Sequence, residues 1–283
     1  MTSKGKGKRP LSSMTRASKK LHPEYATAYH NRGAAKAQLG RFEEALPDFD
    51  QAIALNPQDA KAYNNRGNAK IDLGRFEEAL PDFDRAIALD PQEATAYNNR
   101  GIVKIDLGRP KDALPDLTQA IKLNPEDATA YNNRGTAKVK LGRFKDALRD
   151  FDRATSLNSE DAMAYNNKGR AKIALGLHKE ALADFSKAIY LNPQYATAYH
   201  RRGTAKIALG LHKEALLDFS KAVDLNPQDA TAYYFRVKAH AMLGNTTAAC
   251  ADLSKALDLA TNQYDKELAK RIQEALKQLP SIT

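Results

Sequence analysis

Paired asparagines recur along this chain at a fixed interval and raise the first chemical question. The string Tyr-Asn-Asn-Arg-Gly occurs three times, each copy 34 residues after the last, at Tyr63–Gly67, Tyr97–Gly101 and Tyr131–Gly135. Near-copies in the same phase begin at Tyr29, Tyr165 and Tyr199. Asparagine and glycine both disfavour a helix, so their retention needs a reason. An asparagine amide carries donors and an acceptor, and it can therefore bond the N–H and C=O of another main chain together.

Two sets of charged residues recur with the same period. Residues at equivalent positions of successive repeats are called here a column. A base recurs once in every repeat, at Arg32, Arg66, Arg100, Arg134, Lys168, Arg202 and Arg236. An acid recurs in the same way, at Asp48, Asp82, Asp116, Asp150, Asp184, Asp218 and Asp252. We expect Arg100 and Arg134 to lie within salt-bridge distance of an aspartate of this column, in the same repeat or the neighbouring one. The alternative is a set of independently solvated charges, since exposed pairs contribute little.

The cysteine and two of the histidines, residue types that often perform catalysis, fall at repeat positions that elsewhere hold apolar residues. Cys250 occupies a column that otherwise holds leucine, and His178 and His212 occupy a column that elsewhere holds phenylalanine. A single cysteine excludes an internal disulfide framework and a cysteine-built zinc site. The chain has no His-Glu-x-x-His motif, paired cysteines or phosphate-binding glycine loop. We therefore predict a protein that is not an enzyme and that has no metal site and no cofactor.

The same period organises the elements that must position these residues. Proline or an in-phase serine marks each repeat, and thirteen of the fifteen glycines fall in two columns. Between these markers, apolar and small residues follow steps of three and four, which indicates amphipathic helices. Gly74 is placed to end a first helix and Pro91 to end a second. Each repeat is thus predicted to be two helices, which approach closely where glycine faces the alanine columns and which must stack to bury their apolar faces.

This pattern resembles the tetratricopeptide repeat, a 34-residue helix–turn–helix that has Gly and Tyr positions, then Ala-x3-Phe, then Pro. In the first repeat the matching residues are Tyr29, Gly33, Ala45, Phe49, Ala52 and Pro57. The resemblance implies an all-α fold, a right-handed α-solenoid of tandem helix–turn–helix repeats in residues 21–263. The seven repeats cover about 26–59, 60–93, 94–127, 128–161, 162–195, 196–229 and 230–263. A capping helix is expected over 264–279, where the repeat signature is lost.

The resemblance also implies a binding site. In tetratricopeptide arrays the first helices line a concave groove where extended peptides bind, and the second asparagine of each pair would face it. This column is similar to the asparagine ladder of a glycosyltransferase that modifies intracellular proteins. The members here are Asn31, Asn65, Asn99, Asn133 and Asn167. If water alone satisfies these amides in the free protein, changing three of them to alanine leaves stability level or raises it. The alternatives are that they only solvate the helix, or that they bond between repeats.

Columns that vary are expected to set ligand specificity in the same groove. Asn68 and Arg170 belong to one such column, which also contains Lys238. Acids gather in the second and third repeats. Bases gather in the fourth to seventh repeats, at Lys140, Arg170, Arg201 and Lys238. A ligand with a basic stretch at one end and an acidic stretch at the other would fit this arrangement.

The net charge of +10 is concentrated at the start of the chain. Residues 1–20 carry seven bases and no acid, which indicates a disordered basic tail. No apolar run approaches the length of a membrane span, and no signal-peptide core follows the start, so a cytoplasmic location is expected. The leading hypothesis is a non-enzymatic scaffold that binds a protein or peptide in its groove. The alternatives are an adaptor whose tail contacts nucleic acid or an anionic membrane, and a scaffold that associates with itself.

Overall fold

The computed structural model of the protein describes residues 23–263 and 265–278. These residues hold fifteen α-helices and, within the described part, no strand. The chain divides into two compact units between Glu126 and Asp127. The predicted all-α class is confirmed. The basic tail of residues 1–20 lies outside the described residues.

The first unit contains six helices, which form three hairpins. They are α1 (Pro23–Gln38), α2 (Phe42–Leu55), α3 (Ala60–Asp72), α4 (Phe76–Leu89), α5 (Ala94–Asp106) and α6 (Pro110–Leu123). Odd-numbered helices are the first helices of repeats 1 to 3, and even-numbered helices are the second.

The second unit contains four further hairpins and a final helix. The hairpin helices are α7 (Ala128–Lys140), α8 (Phe144–Leu157), α9 (Ala162–Ala174), α10 (His178–Leu191), α11 (Ala196–Ala208), α12 (His212–Leu225), α13 (Ala230–Met242) and α14 (Thr246–Asn262). Helix α15 (Lys266–Gln278) follows. Its residues Leu268 and Ile272 are buried against the core of α13 and α14.

Two glycine columns shape each hairpin, and repeat 2 shows both. A Cβ added to Gly67 would lie 2.7 Å from the ring of Phe83, so glycine here lets α3 approach the fully buried phenylalanine of α4. The expectation that this glycine faces the alanine columns is wrong, because the aromatic ring takes that place. Gly74 has φ +71, a left-handed conformation that suits glycine and ends α3.

Each hairpin packs on the next through small residues. Ala45 and Phe49 of α2 are fully buried and form one cluster with Ala69 of α3. The same arrangement recurs in the second unit, where Ala147 and Phe151 of α8 pack with a buried alanine of α9. Each hairpin therefore contributes to the core of the next one, as expected for hairpins that cannot bury their apolar faces alone.

Candidate functional site on the first helices

The candidate site is the surface formed by the first helices, called here the first-helix face. In the first unit α1 contacts α3, and α3 contacts α5. In the second unit α7, α9, α11 and α13 contact one another in the same order. A second helix contacts the first helix of the following repeat, whereas first helices of consecutive repeats also contact each other. The first helices are therefore the more closely spaced layer of each unit. Side chains on this layer are thus brought together from consecutive repeats.

The asparagines of this face are joined between repeats in the first unit. Asn99 Nδ2 of α5 donates to Asn64 Oδ1 of α3 over 3.2 Å and to Asn68 Oδ1 over 2.8 Å. Asn99 is only 9% exposed, and Asn64 is also buried. We call a bond of this kind, from the second asparagine of one repeat to the first asparagine of the repeat before it, an amide rung.

Histidine replaces the first asparagine in repeat 1 and still completes a rung. Asn65 Nδ2 lies 3.1 Å from His30 Nε2, and His30 Nδ1 lies 3.2 Å from Asp59 Oδ2. An amide nitrogen can only donate, so this network assigns Nε2 as the acceptor and Nδ1 as the protonated donor. Asp59 also caps α3 by accepting from the backbone N–H of Lys61. The rung thereby ties the start of α3 to repeat 1.

The second unit has a rung of the same geometry. Asn167 Nδ2 of α9 donates to Asn132 Oδ1 of α7 over 3.1 Å. The expectation that water alone satisfies these amides is therefore wrong for Asn65, Asn99 and Asn167, and bonding between repeats is what the structure has. Asn31 has no preceding repeat among the described residues and is exposed. Each rung uses the amide nitrogen, and for Asn65 and Asn167, which are half-buried, no group among the described residues donates to Oδ1.

The regular rung is broken between repeats 5 and 6, where α11 carries Arg201 in place of the second asparagine. Asn166 is 3% exposed, and its Oδ1 has no partner among the described residues. Its Nδ2 donates instead to the Tyr195 hydroxyl oxygen over 3.3 Å. The buried Nε of Arg201 likewise has no partner there. Burial lowers the pKa of Arg201, and the charge of Arg170 lowers it further.

The face changes again at repeat 7, where aromatic residues replace both asparagines. Phe235 meets the His200 ring edge to face at a centroid distance of 4.7 Å. Burial lowers the pKa of His200 to about 4, so this ring is neutral at neutral pH. Lys238 is exposed, with its Nζ 5.1 Å from the centre of the Phe235 ring.

The acidic and basic columns form ion pairs within each hairpin. Arg100 Nε and Nη2 donate to the two oxygens of buried Asp116 over 2.9 and 2.6 Å, and Lys104 Nζ lies 2.6 Å from the same carboxylate. Arg100 Nη1 also reaches Asp84 of the preceding repeat at 2.7 Å, and the guanidinium lies over the Tyr97 ring. Burial alone would lower the pKa of Arg100, but hydrogen bonds to the two aspartates outweigh it and raise the pKa.

The second arginine of the prediction behaves in the same way. Arg134 Nη2 lies 2.7 Å from Asp150 Oδ1, and Lys138 Nζ lies 2.6 Å from Asp150 Oδ2. The ion-pair prediction is therefore confirmed for both arginines, and pairing within the repeat is common to them. The tyrosine and arginine of the opening motif thus contact residues of the hairpin rather than contribute to the first-helix face.

Comparison with known protein families gives a single result along the chain. A tetratricopeptide repeat family model matches residues 30–94, 133–196 and 200–264, and a second tetratricopeptide repeat model matches residues 69–132. The chain belongs to the tetratricopeptide repeat family. Its repeats have the fold on which protein–protein interaction scaffolds are built. The search of curated proteins finds no match.

Solved structures support the same assignment. A tetratricopeptide repeat protein from Parabacteroides merdae is 22% identical and has a TM-score of 0.69, with 88% of this chain and 99% of that chain covered. YrrB, described as a tetratricopeptide repeat protein with an unusual peptide-binding site, is 31% identical and has a TM-score of 0.52, with 65% and 95% covered. The Cut9–Hcn1 structure gives a TM-score of 0.73 at 19% identity, with 86% of this chain and 48% of that chain covered.

Other candidates for chemistry do not converge in the described residues of this tetratricopeptide protein. Cys250 is a half-buried free thiol in α14. His178 and His212 occupy equivalent positions in α10 and α12 and are half-buried. Over 23–263 and 265–278, no three histidine, cysteine or acidic side chains gather as metal ligands would. None of the helices in those ranges is both long and apolar enough to cross a membrane.

Sequence reasoning missed the first asparagine of each pair and Tyr195. Asn64 and Asn132 are buried acceptors of the rungs, whereas the sequence pattern assigns a role to the second asparagine of each pair alone. A signal was present at Tyr195. This residue stands where Asp161 and Asp229 cap their helices, and α11 has no side-chain cap.

Proposed function

We propose that this tetratricopeptide protein is a scaffold that binds an extended segment of a partner protein along its first-helix face. The observation that carries the proposal is the set of amide rungs. The rungs hold the half-buried side chains of Asn65 and Asn167 by the nitrogen, so that their oxygens are the acceptors a ligand would use. Because the nitrogen is fixed to the neighbouring repeat, the oxygen is oriented before any ligand arrives, and this lowers the ordering cost of binding.

An extended chain is the ligand that suits such acceptors. Its main-chain N–H groups recur along its length, so several can donate to amide oxygens supplied by consecutive repeats of one unit. This contact does not depend on the side chains of the ligand. Side-chain preference would then come from the residues between the rungs, including Asn68, Arg170, Arg201 and Lys238. YrrB, whose description mentions a peptide-binding site, supports the proposal by analogy only.

Peptide selection from a random library, followed by fluorescence polarisation, tests the proposal. The variant changes three asparagines of the face together: Asn99→Ala, Asn133→Ala and Asn167→Ala. A segment on the second unit loses two acceptors, Asn133 and Asn167, at about 1 kcal/mol net each, so its affinity should fall roughly 30-fold. Binding is measured below the melting temperature of the variant, which the loss of rungs lowers.

A matched control separates binding from stability. Its changes shorten buried side chains of the second helices and substitute no residue of the first helices: Ile53→Val, Ile121→Val and Val223→Ala. These variants also lose stability, by roughly 1 kcal/mol per site, but should keep the parent affinity. Equal peptide affinity of the asparagine variant and the parent would refute the proposed role of the face.

A further inference from the structure

We infer that the break in the rungs between repeats 5 and 6 is a binding site for a carboxylate side chain of an acidic partner segment. The site consists of Asn166 and Arg170 of α9, Tyr195 before α11, and Arg201 of α11, and it is called here the arginine site. The inference rests on the proposed function, because it names the chemistry of the segment that the first-helix face would hold.

The missing rung leaves one acceptor and one donor unused at the same place. In the second unit, Asn167 satisfies Asn132 Oδ1. At the next step Arg201 stands in the donor position, yet Asn166 Oδ1 and Arg201 Nε are both buried without a partner among the described residues. A buried polar group without a partner costs free energy. A main-chain N–H of a ligand can satisfy the amide oxygen, and a carboxylate can satisfy the guanidinium.

The two arginines of the site also lack a counterion. Elsewhere in the same unit Arg202 donates to Asp218, and Arg236 donates to Asp252. Among the described residues, no carboxylate lies within salt-bridge distance of Arg170 or Arg201. Burial lowers the pKa of both, and the charge of Arg170 lowers the pKa of Arg201 further. An incoming anion would relieve both effects, because the attraction is strengthened by partial desolvation.

Tyr195 completes the site and shows that the start of α11 departs from the pattern as well. Asp161 and Asp229 hold the equivalent position and cap their helices, whereas α11 has no side-chain cap. Because tyrosine stands where these helices have aspartate, no carboxylate at this position competes with a ligand for the arginines. The Tyr195 hydroxyl oxygen accepts from Asn166 Nδ2, which leaves its proton available to donate. Burial raises the pKa of this phenol, so the proton is retained.

A single carboxylate can therefore accept from two guanidinium groups and a phenol, while the adjacent main-chain N–H donates to Asn166. Charge-assisted bonds of this kind discriminate strongly against a neutral amide of the same shape. We expect a glutamate-containing segment to bind about tenfold or more tightly than its glutamine counterpart at low salt. The preference should weaken as salt is added, because part of the site is open to solvent.

The test compares two random peptide libraries that differ only in a fixed central glutamate or glutamine, together with capped glutamate and capped glutamine as small probes. The full chain should prefer glutamate in both formats. Arg170→Gln with Arg201→Gln should abolish the preference. The control, Lys179→Gln with Lys213→Gln, removes two exposed charges from the second helices of the same repeats and should keep it.

A third variant gives a result that the loss of charge alone would not produce. Arg201→Asn restores the residue that donates in the other rungs, so it should satisfy Asn166 Oδ1 and raise the melting temperature by about 2–4 °C. The same change should remove the glutamate preference. Stability and acidic-peptide binding then move in opposite directions.

The outcomes distinguish this inference from the proposed function. If both libraries bind equally to the full chain, the face binds peptides and the arginine site is refuted. If neither library binds but capped glutamate binds only when the two arginines are present, the arginine site stands and the extended-peptide function fails. A glutamate preference that survives in the Arg170→Gln, Arg201→Gln variant would overturn the inference.

Discussion

The two aspartates that share Arg100 provide a controlled comparison of buried and exposed ion pairs. Asp116 is 5% exposed and is held by Arg100 and by Lys104. Asp84 meets the same guanidinium at 2.7 Å, but its side chain is 63% exposed. Asp116→Asn leaves two cations, each with a side chain less than one-fifth exposed, without a buried counterion. Breaking a buried pair costs about 3–5 kcal/mol, and the partial exposure of the cations favours the lower end, about 3 kcal/mol.

The matched change Asp84→Asn removes an exposed partner of the same arginine and should cost less than about 1 kcal/mol. On thermal unfolding, these values correspond to a fall of roughly 6–12 °C for Asp116→Asn and a few degrees at most for Asp84→Asn. Circular dichroism melts at low and high salt measure both. Added salt should reduce the effect of Asp84→Asn proportionally more, since exposed pairs are screened. Equal losses for the two variants would refute the assignment of Asp116 as the central acid of the hairpin.

Three further predictions concern the stability of the repeats. Asn167→Ala should lower the free energy of unfolding by about 1–2 kcal/mol, because it leaves a buried acceptor unsatisfied, whereas Asn31→Ala should leave it unchanged or slightly higher; urea titration of the two variants measures the difference. Gly67→Ala should destabilise by about 1–3 kcal/mol through its clash with Phe83, after the helix-propensity gain of about 1 kcal/mol for alanine is subtracted; an unchanged or higher stability would contradict the close approach. His200 has a folded pKa of about 4 against about 6.5 when unfolded, so its contribution to stability falls as pH drops through that window, by on the order of 3 kcal/mol. His200→Asn should remove this part of the pH dependence, and an unchanged pH profile would contradict it.

Features that depend on residues of one hairpin could be predicted from the sequence, because the same residue pattern recurs in every repeat. The two-helix pattern, the glycine turn at Gly74 and the pairing of Arg100 with an aspartate all depend on residues less than one repeat apart. Because the same residue types recur at the same positions in seven repeats, the match to the tetratricopeptide pattern is not accidental. The family resemblance and the structure therefore agree on the fold.

Features that depend on how one repeat stacks on the next could not be predicted in the same way. The partner of Asn99 is Asn64, 35 residues earlier, and this contact exists only once the two helices are placed side by side. The arginine site needed the same information. Its sequence signal is a loss of pattern, with Tyr195 and Arg201 standing, six residues apart, where other repeats have an acid and an amide. Such departures gain meaning only when the structure shows which buried atoms they leave without partners.

Site-specific photo-crosslinking tests the central claim that a partner segment lies on the first-helix face. A photoreactive side chain is placed at Thr136 on α7 and, in a second protein, at Lys145 on α8 of the same repeat. A peptide selected against the parent chain is then irradiated with each protein and the products are mapped by mass spectrometry. Crosslinks are expected from position 136, with background alone from position 145. Crosslinking from position 145 that equals or exceeds that from position 136 would contradict it.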